Sequence, residues 1–251
     1  MEDPDQRNAE NHLPDAEEPQ AQAAWRLRDV VVSVSVGLVA GLLLAAVVVV
    51  FLSAAGADPS GPATLSLVTV AVYAGTFGGV YLLLIRRLGL TFAAVGFRAV
   101  PSSTIALMVP VALLMQMVVA IVVLLSAPIL GDPPSAEDQL VLQEGVDLSI
   151  PEIFALVLGA ALVAPIVEEL VFRGLLYRYL RARWSVTRAV LLSSAVFALV
   201  HLAFPLMPAL FVLGVALALA AERYGSLYPS IALHALHNGI AVLAIVTIGT
   251  G

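Results

Sequence analysis

The sequence contains no cysteine and no lysine, and it carries little charge of any kind. Without cysteine the protein has no disulfide bond, no cysteine nucleophile and no thiolate metal ligand. Only 12% of its 251 residues are charged and 61% are hydrophobic, whereas soluble domains carry roughly 25% charged residues. The composition therefore excludes an ordinary soluble domain. It predicts that the chain contacts the lipid bilayer and that it does not bind nucleic acid.

Long apolar runs take the place of the missing charge, and they are continuous, not alternating. A helix of about 20 apolar residues crosses a bilayer, and continuous runs are typical of membrane helices, not of barrel strands. We therefore predict an all-α, polytopic membrane helix bundle with about seven transmembrane helices. The predicted helices cover approximately residues 30–53, 64–85, 104–127, 157–177, 187–204, 207–222 and 227–248.

All twelve basic residues are arginines, and outside the apolar runs they follow a simple rule. They occur before helix 1 and in the loops after helices 2, 4 and 6, whereas the opposite loops hold acidic residues and no base. Because cytoplasmic loops are enriched in arginine and lysine, the N-terminus is predicted to be cytoplasmic and the C-terminus to lie on the far side. Residues 88–98 are either a short amphipathic surface segment or a plain loop.

The charge pattern also divides the chain into segments. Residues 1–24 form a predicted disordered tail, since its first 18 residues hold seven acids against one arginine, a composition that cannot bury a core. Residues 25–130 contain helices 1–3, 131–150 form an acidic extracytoplasmic loop, and 151–251 form a second transmembrane region. The small-residue stretches SVGLVAG in helix 1 and GTFGG in helix 2 suit close packing, more naturally within the chain than between chains. The oligomeric state stays open.

A few charged or strongly polar side chains nevertheless fall within the predicted spans. Charged groups at mid-bilayer cost about 2.5–3.5 kcal/mol each on insertion scales, so they usually serve a function. Counted from the arginine-rich ends of their helices, these groups lie at depths that agree to within about two helical turns. We therefore predict one shared site from three helices: Glu168, Glu169 and Arg173 on helix 4, His201 on helix 5, and His234 and Asn238 on helix 7.

Helical spacing predicts how these side chains pair. Glu169 and Arg173 are four residues apart and share a face, which favours an ion pair between them. Glu168 is turned by about 100° from Glu169 and can face a cavity instead. His234 and Asn238 also share a face, whereas the neighbouring His237 is assigned only a packing role.

Two chemistries are open to such a set. A carboxylate and an imidazole can activate water while a second imidazole and an amide hold an oxyanion. Alternatively, Glu168, His201 and His234 can ligate zinc. Both versions point to amide hydrolysis. The sequence lacks an HExxH motif, an aspartate within a span and a GxSxG elbow, which excludes the usual two-histidine zinc helix, an aspartyl dyad and a serine-hydrolase elbow. A non-enzymatic scaffold or immunity protein and a proton-coupled transporter remain as alternatives.

Three short motifs carry a resemblance to a known family. EELVFR, FALVH and HALHN match, in order and spacing, the EExxxR, FxxxH and HxxxN motifs. In these motifs the chain resembles the type II CAAX prenyl protease and bacteriocin-processing (CPBP, Abi) family of intramembrane endopeptidases, and the resemblance covers about residues 151–243. The resemblance implies that Glu168 and His201 activate water, that His234 and Asn238 stabilise the oxyanion, and that Glu169 and Arg173 support them. It favours a reaction that needs no metal and leaves zinc as the alternative.

The resemblance also defines the expected substrate and location. Family members act on membrane-bound peptides or proteins, which are prenylated in eukaryotes and linked to bacteriocin immunity or peptide maturation in bacteria. The arginine-rich, lysine-free composition is similar to that of the bacterial members. We therefore expect a multi-pass protein of a bacterial plasma membrane that cleaves a membrane-associated peptide, with residues 151–251 as its catalytic core.

Overall fold

The structure is a computed structural model that describes residues 24–132 and 148–249. The predicted acidic tail and most of the predicted acidic loop lie outside these ranges. The described residues form helices, turns and connecting segments, with no strand among them. The prediction of an all-α fold is therefore confirmed.

Seven helices follow one another in residues 24–132 and 148–249, and we number them α1–α7. Six are long and apolar enough to cross a membrane, and α5 is a shorter apolar helix. The protein is thus a multi-pass membrane protein. The helices are α1 (Leu27–Ala54), α2 (Pro62–Arg86), α3 (Ser102–Leu130), α4 (Ile150–Arg181), α5 (Val186–Val200), α6 (Met207–Tyr224) and α7 (Leu227–Gly249).

Helices α1 and α2 approach each other through glycine. An added Cβ at Gly75 would lie 2.3 Å from the Cα of Gly41, and one at Gly79 would lie 2.5 Å from the Cα of Gly37. No side chain fits at such distances, so the two backbones are in direct contact. The prediction that the small-residue stretches pack within the chain is confirmed.

The arginine-bearing helix ends meet at one end of the bundle, which we call the arginine end. The indole of Trp25, just before α1, donates to the carbonyl of Leu175 in α4 at 3.3 Å. The hydroxyl of Ser226, just before α7, donates to the carbonyl of Arg98 at 2.6 Å. These contacts place the linker 87–101 and the ends of α1, α4 and α7 together, as the cytoplasmic assignment requires. The side of the membrane itself stays a prediction.

The linker between α2 and α3 is built from turns and is docked into the bundle, so it forms no amphipathic helix. Val95 is fully buried, and the amide of Leu227 donates to the carbonyl of Gly96 at 2.8 Å. Gly96 has a φ of +108°, and a Cβ there would lie 2.9 Å from the guanidinium of Arg178. Only glycine meets both requirements, so the loop reading of 88–98 is the one the structure supports.

Helix α5 is shorter than its apolar run predicted. The run continues to about residue 204, but the helix ends at Val200 with His201 as its C-terminal cap. Leu202 then adopts a φ of 54°, the sole positive φ of a non-glycine residue in the described ranges, and a 3₁₀ turn at Phe204–Leu206 leads into α6. Apolar composition alone could not reveal this end, because the residues after it are also apolar.

The glycine contact between α1 and α2 predicts a position-dependent effect of adding one methyl group. Gly75→Ala should destabilise the protein by about 1–3 kcal/mol, since the backbones must separate. Gly78→Ala should be neutral or stabilising by up to about 1 kcal/mol, because a Cβ there meets nothing within 4 Å. Thermal unfolding of both variants in one detergent checks this. Equal melting temperatures for the two variants would contradict the contact.

The predicted orientation can be measured without background, because the chain has no cysteine. Ala57 lies in the exposed α1–α2 turn, and Ser185 in the exposed α4–α5 turn. In intact cells a membrane-impermeant maleimide should label Ala57→Cys but not Ser185→Cys, which should react only after permeabilisation. The reverse pattern would place the N-terminus outside the cytoplasm.

Candidate active site

Helix α4 carries a buried ion pair, as its spacing predicted. The Arg173 guanidinium donates to Oε1 of Glu169 at 2.8 Å, and the two side chains are 1% and 0% exposed. Arg173 also donates to the carbonyl of Gly214 in α6 at 3.0 Å. Its guanidinium lies 4.5 Å from the ring centroid of Phe197 in α5. A single cation on α4 thus contacts both helices of the α5–α6 hairpin.

The carboxylate of Glu169 reaches the opposite side and contacts α7. Its Oε1 also accepts from Nδ1 of His234 at 3.0 Å, and its Oε2 accepts from the hydroxyl of Ser230. With three donors, one of them a cation, this buried carboxylate is well satisfied. Because carboxylate oxygens only accept, Nδ1 of His234 carries a proton in this arrangement.

Glu168 has different surroundings although it is the adjacent residue. The hydroxyl of Tyr73 in α2 donates to its Oε1. Its Oε2 lies 3.8 Å from Nε2 of His234 and 4.0 Å from Nε2 of His201. The side chains of Glu168 and His201 are 15% and 30% exposed, whereas that of His234 is 3% exposed. Glu168 therefore faces an accessible space bordered by two imidazole nitrogens.

The early end of α5 fixes the orientation of His201. Phe197 lies in the last turn of α5, where carbonyl groups lack partners within the helix. Nδ1 of His201 lies 2.7 Å from the carbonyl oxygen of Phe197, and since that oxygen only accepts, Nδ1 is the protonated nitrogen. In the neutral ring Nε2 then carries the free lone pair, and this nitrogen faces Glu168.

Asn238 is anchored by an irregularity of α4. The stretch Val157–Val163 is π-helical, and the amide of Ala164 accordingly bonds to the carbonyl of Gly159. The next carbonyl, that of Ala160, would need the amide of Pro165, which does not exist. The side-chain amide of Asn238 donates to it instead, at 2.9 Å. This bond uses one of its two N–H groups.

The predicted residues thus divide into those that meet and those that lie beside them. Glu168, His201 and His234 meet at one point, with Glu169 and Arg173 directly behind His234. Asn238 is held against Ala160, one turn further along α7 than His234. The side chain of His237 makes no hydrogen bond to this group. Its backbone carbonyl accepts a hydrogen bond from the side-chain amide of Gln116 in α3 at 3.0 Å.

The side chains that could hold zinc are Glu168, His201 and His234, since both Nε2 atoms and one carboxylate oxygen converge. Among the described residues, however, no group of three or more His, Asp or Glu side chains is arranged to hold a metal ion. Zinc at Glu168, His201 and His234 therefore stays the alternative named from the sequence, and no step of the reaction is routed through it.

Two contacts escaped the sequence interpretation. Ser230 lies four residues before His234 on α7, so helical spacing alone could have placed it on the same face. Tyr73 lies in α2, in a region without a motif, and its proximity to Glu168 depends on how α2 packs against α4. No spacing rule within one helix predicts such a contact.

The buried ion pair predicts a large effect when only one partner is removed. Arg173→Met should lower stability by about 3–5 kcal/mol, because it leaves the Glu169 carboxylate buried without its cation. In the double variant Glu169→Gln/Arg173→Met much of this loss should be recovered, since no uncompensated charge remains. Thermal unfolding of the three proteins checks this. Equal stability of the wild type and the single variant would contradict the pair's burial.

A comparison with known protein families identifies the same region of the chain as the one that contains the site. Residues 150–240 match the family model described as "Type II CAAX prenyl endopeptidase Rce1-like". No curated protein and no solved structure matched the chain. The matched residues include all of the motif residues from Glu168 to Asn238, and they exclude α1, α2 and α3. This match over residues 150–240 supports the type II CAAX prenyl endopeptidase-like (CPBP, Abi) family, which at family level implies an intramembrane protease.

Proposed function

We propose that this protein cleaves a peptide bond of a membrane-associated substrate with a water molecule activated by Glu168 and His201. The observation that carries the proposal is the convergence of Glu168 Oε2 with the Nε2 atoms of His201 and His234, at 4.0 and 3.8 Å. Separations of this size are too long for direct hydrogen bonds, and a bridging water can contact both partners. The accessible side of Glu168 gives the water a place to bind.

The proton transfers follow from which atoms of Glu168 and His201 can still accept a proton or a hydrogen bond. A water molecule beside Glu168 and His201 gives one proton to the Glu168 carboxylate. Nε2 of His201 accepts a hydrogen bond from the other O–H of this water and orients the molecule. The resulting hydroxide forms a bond to the carbonyl carbon of the substrate. When the C–N bond of the tetrahedral intermediate breaks, the proton held by Glu168 passes to the leaving amine.

We assign stabilisation of the oxyanion to His234 and Asn238. Because Nδ1 of His234 already donates to Glu169, its Nε2 can donate only when the ring is an imidazolium. Two carboxylates and one guanidinium surround it, so an imidazolium would bring the four groups to zero net charge. The second N–H of Asn238 is the other donor, and the bond to Ala160 orients its amide. Donors fixed in advance stabilise developing charge effectively.

The proposal needs no metal ion, because every proton has a donor and an acceptor among these side chains. Zinc held by Glu168, His201 and His234 is the alternative, and a chelator distinguishes the two. The family match favours hydrolysis over proton-coupled transport or a silent scaffold. For the substrate we propose a membrane-anchored peptide or protein, either prenylated or bacteriocin-like, in the plasma membrane of a bacterium.

Replacing Glu168 by glutamine tests the proposed base. Glu168→Gln should abolish cleavage, because an amide cannot take a proton from water, while the fold remains intact. Purified wild type and variant are incubated in liposomes with farnesylated CAAX peptides and with unprenylated membrane peptides. Mass spectrometry identifies the products, with and without a chelator. Activity that survives the chelator supports the metal-free reaction.

The matched control is Glu152→Gln, the same change at the start of the same helix. Glu152 accepts from the hydroxyl and the amide of Ser149, a role that a glutamine oxygen can also fill, so this variant should cleave like the wild type. Equal cleavage by wild type and Glu168→Gln would exclude Glu168 as the base. No cleavage by a folded wild type across the panel would count against the proposed substrates.

A further inference from the structure

Tyr73 lies outside the family match and touches the proposed base. It lies in α2, whereas the match begins at residue 150. Its hydroxyl donates to Oε1 of Glu168. We propose that Tyr73 is a positioning residue, which holds the Glu168 carboxylate so that Oε2 faces the two imidazoles. This inference rests on the proposed function of Glu168 as the base.

The geometry around the carboxylate supports this role. A carboxylate has two equivalent oxygens, and without a fixed partner either one can turn toward the water. In the structure Tyr73 engages Oε1, and the two Nε2 atoms of His201 and His234 lie near Oε2. The hydroxyl therefore sets which oxygen is presented to the reacting water.

The position of Tyr73 along α2 matches the depth of Glu168. Tyr73 lies thirteen residues before Arg86, which ends α2, and Glu168 lies thirteen residues before Arg181, which ends α4. Both helices run toward the arginine end, so both side chains lie roughly 20 Å from it at about 1.5 Å per residue. The contact therefore belongs to the same layer of the membrane as the rest of the site.

Helix α1 holds α2 in the rotation that this contact needs. A Cβ at Gly41 would lie 2.5 Å from the carbonyl oxygen and 2.8 Å from the Cα of Val72, the residue next to Tyr73. The backbone of α2 is thus in contact with α1 beside the tyrosine. The packing of α1 against α2 thereby fixes the position of the Tyr73 hydroxyl in the site.

A phenol suits this task because it is a neutral donor. Tyrosine is uncharged near neutral pH, so it orients the carboxylate without supplying a positive charge. A cation in its place would stabilise the carboxylate and oppose the uptake of a proton from water. The adjacent Glu169 shows the contrast, since it is paired with Arg173 and has no proposed proton to accept.

Removing only the hydroxyl tests the inference. In Tyr73→Phe the kcat should fall roughly tenfold to hundredfold, the size expected for a hydrogen bond to a charged group. KM should stay unchanged, because the role proposed for Tyr73 acts on the base and not on the bound substrate. The matched control is Tyr81→Phe on the same helix, whose ring stacks between Phe77 and Phe92 at 6.2 and 6.1 Å. This control should keep the wild-type kcat and KM.

Each outcome of the assay has a separate meaning. If the wild type cleaves, Glu168→Gln is inactive and Tyr73→Phe retains the full kcat, the positioning role is wrong and the proposed function stands. A higher KM with an unchanged kcat would indicate a structural or substrate-binding role and would also overturn the inference. If Glu168→Gln cleaves like the wild type, the proposed function itself fails.

A second measurement needs no substrate. Thermal unfolding of Tyr73→Phe, Glu168→Ala and the double variant forms a double-mutant cycle, in which alanine leaves no acceptor for the hydroxyl. If the hydroxyl bonds to Glu168, the two single shifts in melting temperature are not additive, since the second change finds the bond already lost. Strictly additive shifts would overturn the contact on which the positioning role depends.

Discussion

The ion pair between Glu169 and Arg173 is the interaction on which the rest of the site depends. Both side chains are almost completely buried in an apolar bundle, and the removal of two charges from water is costly unless each is fully partnered. Except at Nε of Arg173, which has no hydrogen-bond partner, the partners that the pair finds come from other helices. Arg173 contacts α5 and α6, and Glu169 contacts α7. Satisfying one pair of charges therefore fixes the relative positions of four helices.

The pair also determines what the neighbouring groups can do. Glu169 accepts a hydrogen bond from Nδ1–H of His234, so Nε2 of the same ring is directed at Glu168. The turn of about 100° between adjacent helical residues separates the two glutamates. One is enclosed and paired with a cation, and the other borders an accessible space with a neutral phenol as its donor. Two identical side chains thus acquire different chemistry from their surroundings alone.

Much of this could be predicted from the sequence, because it depends on spacing within single helices. The seven helices, the Glu169–Arg173 pair and the shared depth of Glu168, His201 and His234 all follow from residue counts and apolar runs. Other features depend on contacts between helices. The end of α5 at Val200 lies inside an apolar run, and Tyr73 reaches Glu168 only through the packing of α2 on α4. Such contacts are set by the packed bundle and leave no periodic signal.

The π-helical stretches of α4 have a consequence for helical phase. A π turn holds one residue more than an α turn. Each π turn therefore rotates all later residues of the helix about its axis relative to the residues before the turn. One such stretch, Val157–Val163, contains the carbonyl that anchors Asn238 and lies just before the glutamates of the site. The direction in which Glu168 points is therefore set by a count of residues upstream of it. A single insertion or deletion there would turn the carboxylates away from α7 while leaving the apolar character of the helix and every motif unchanged.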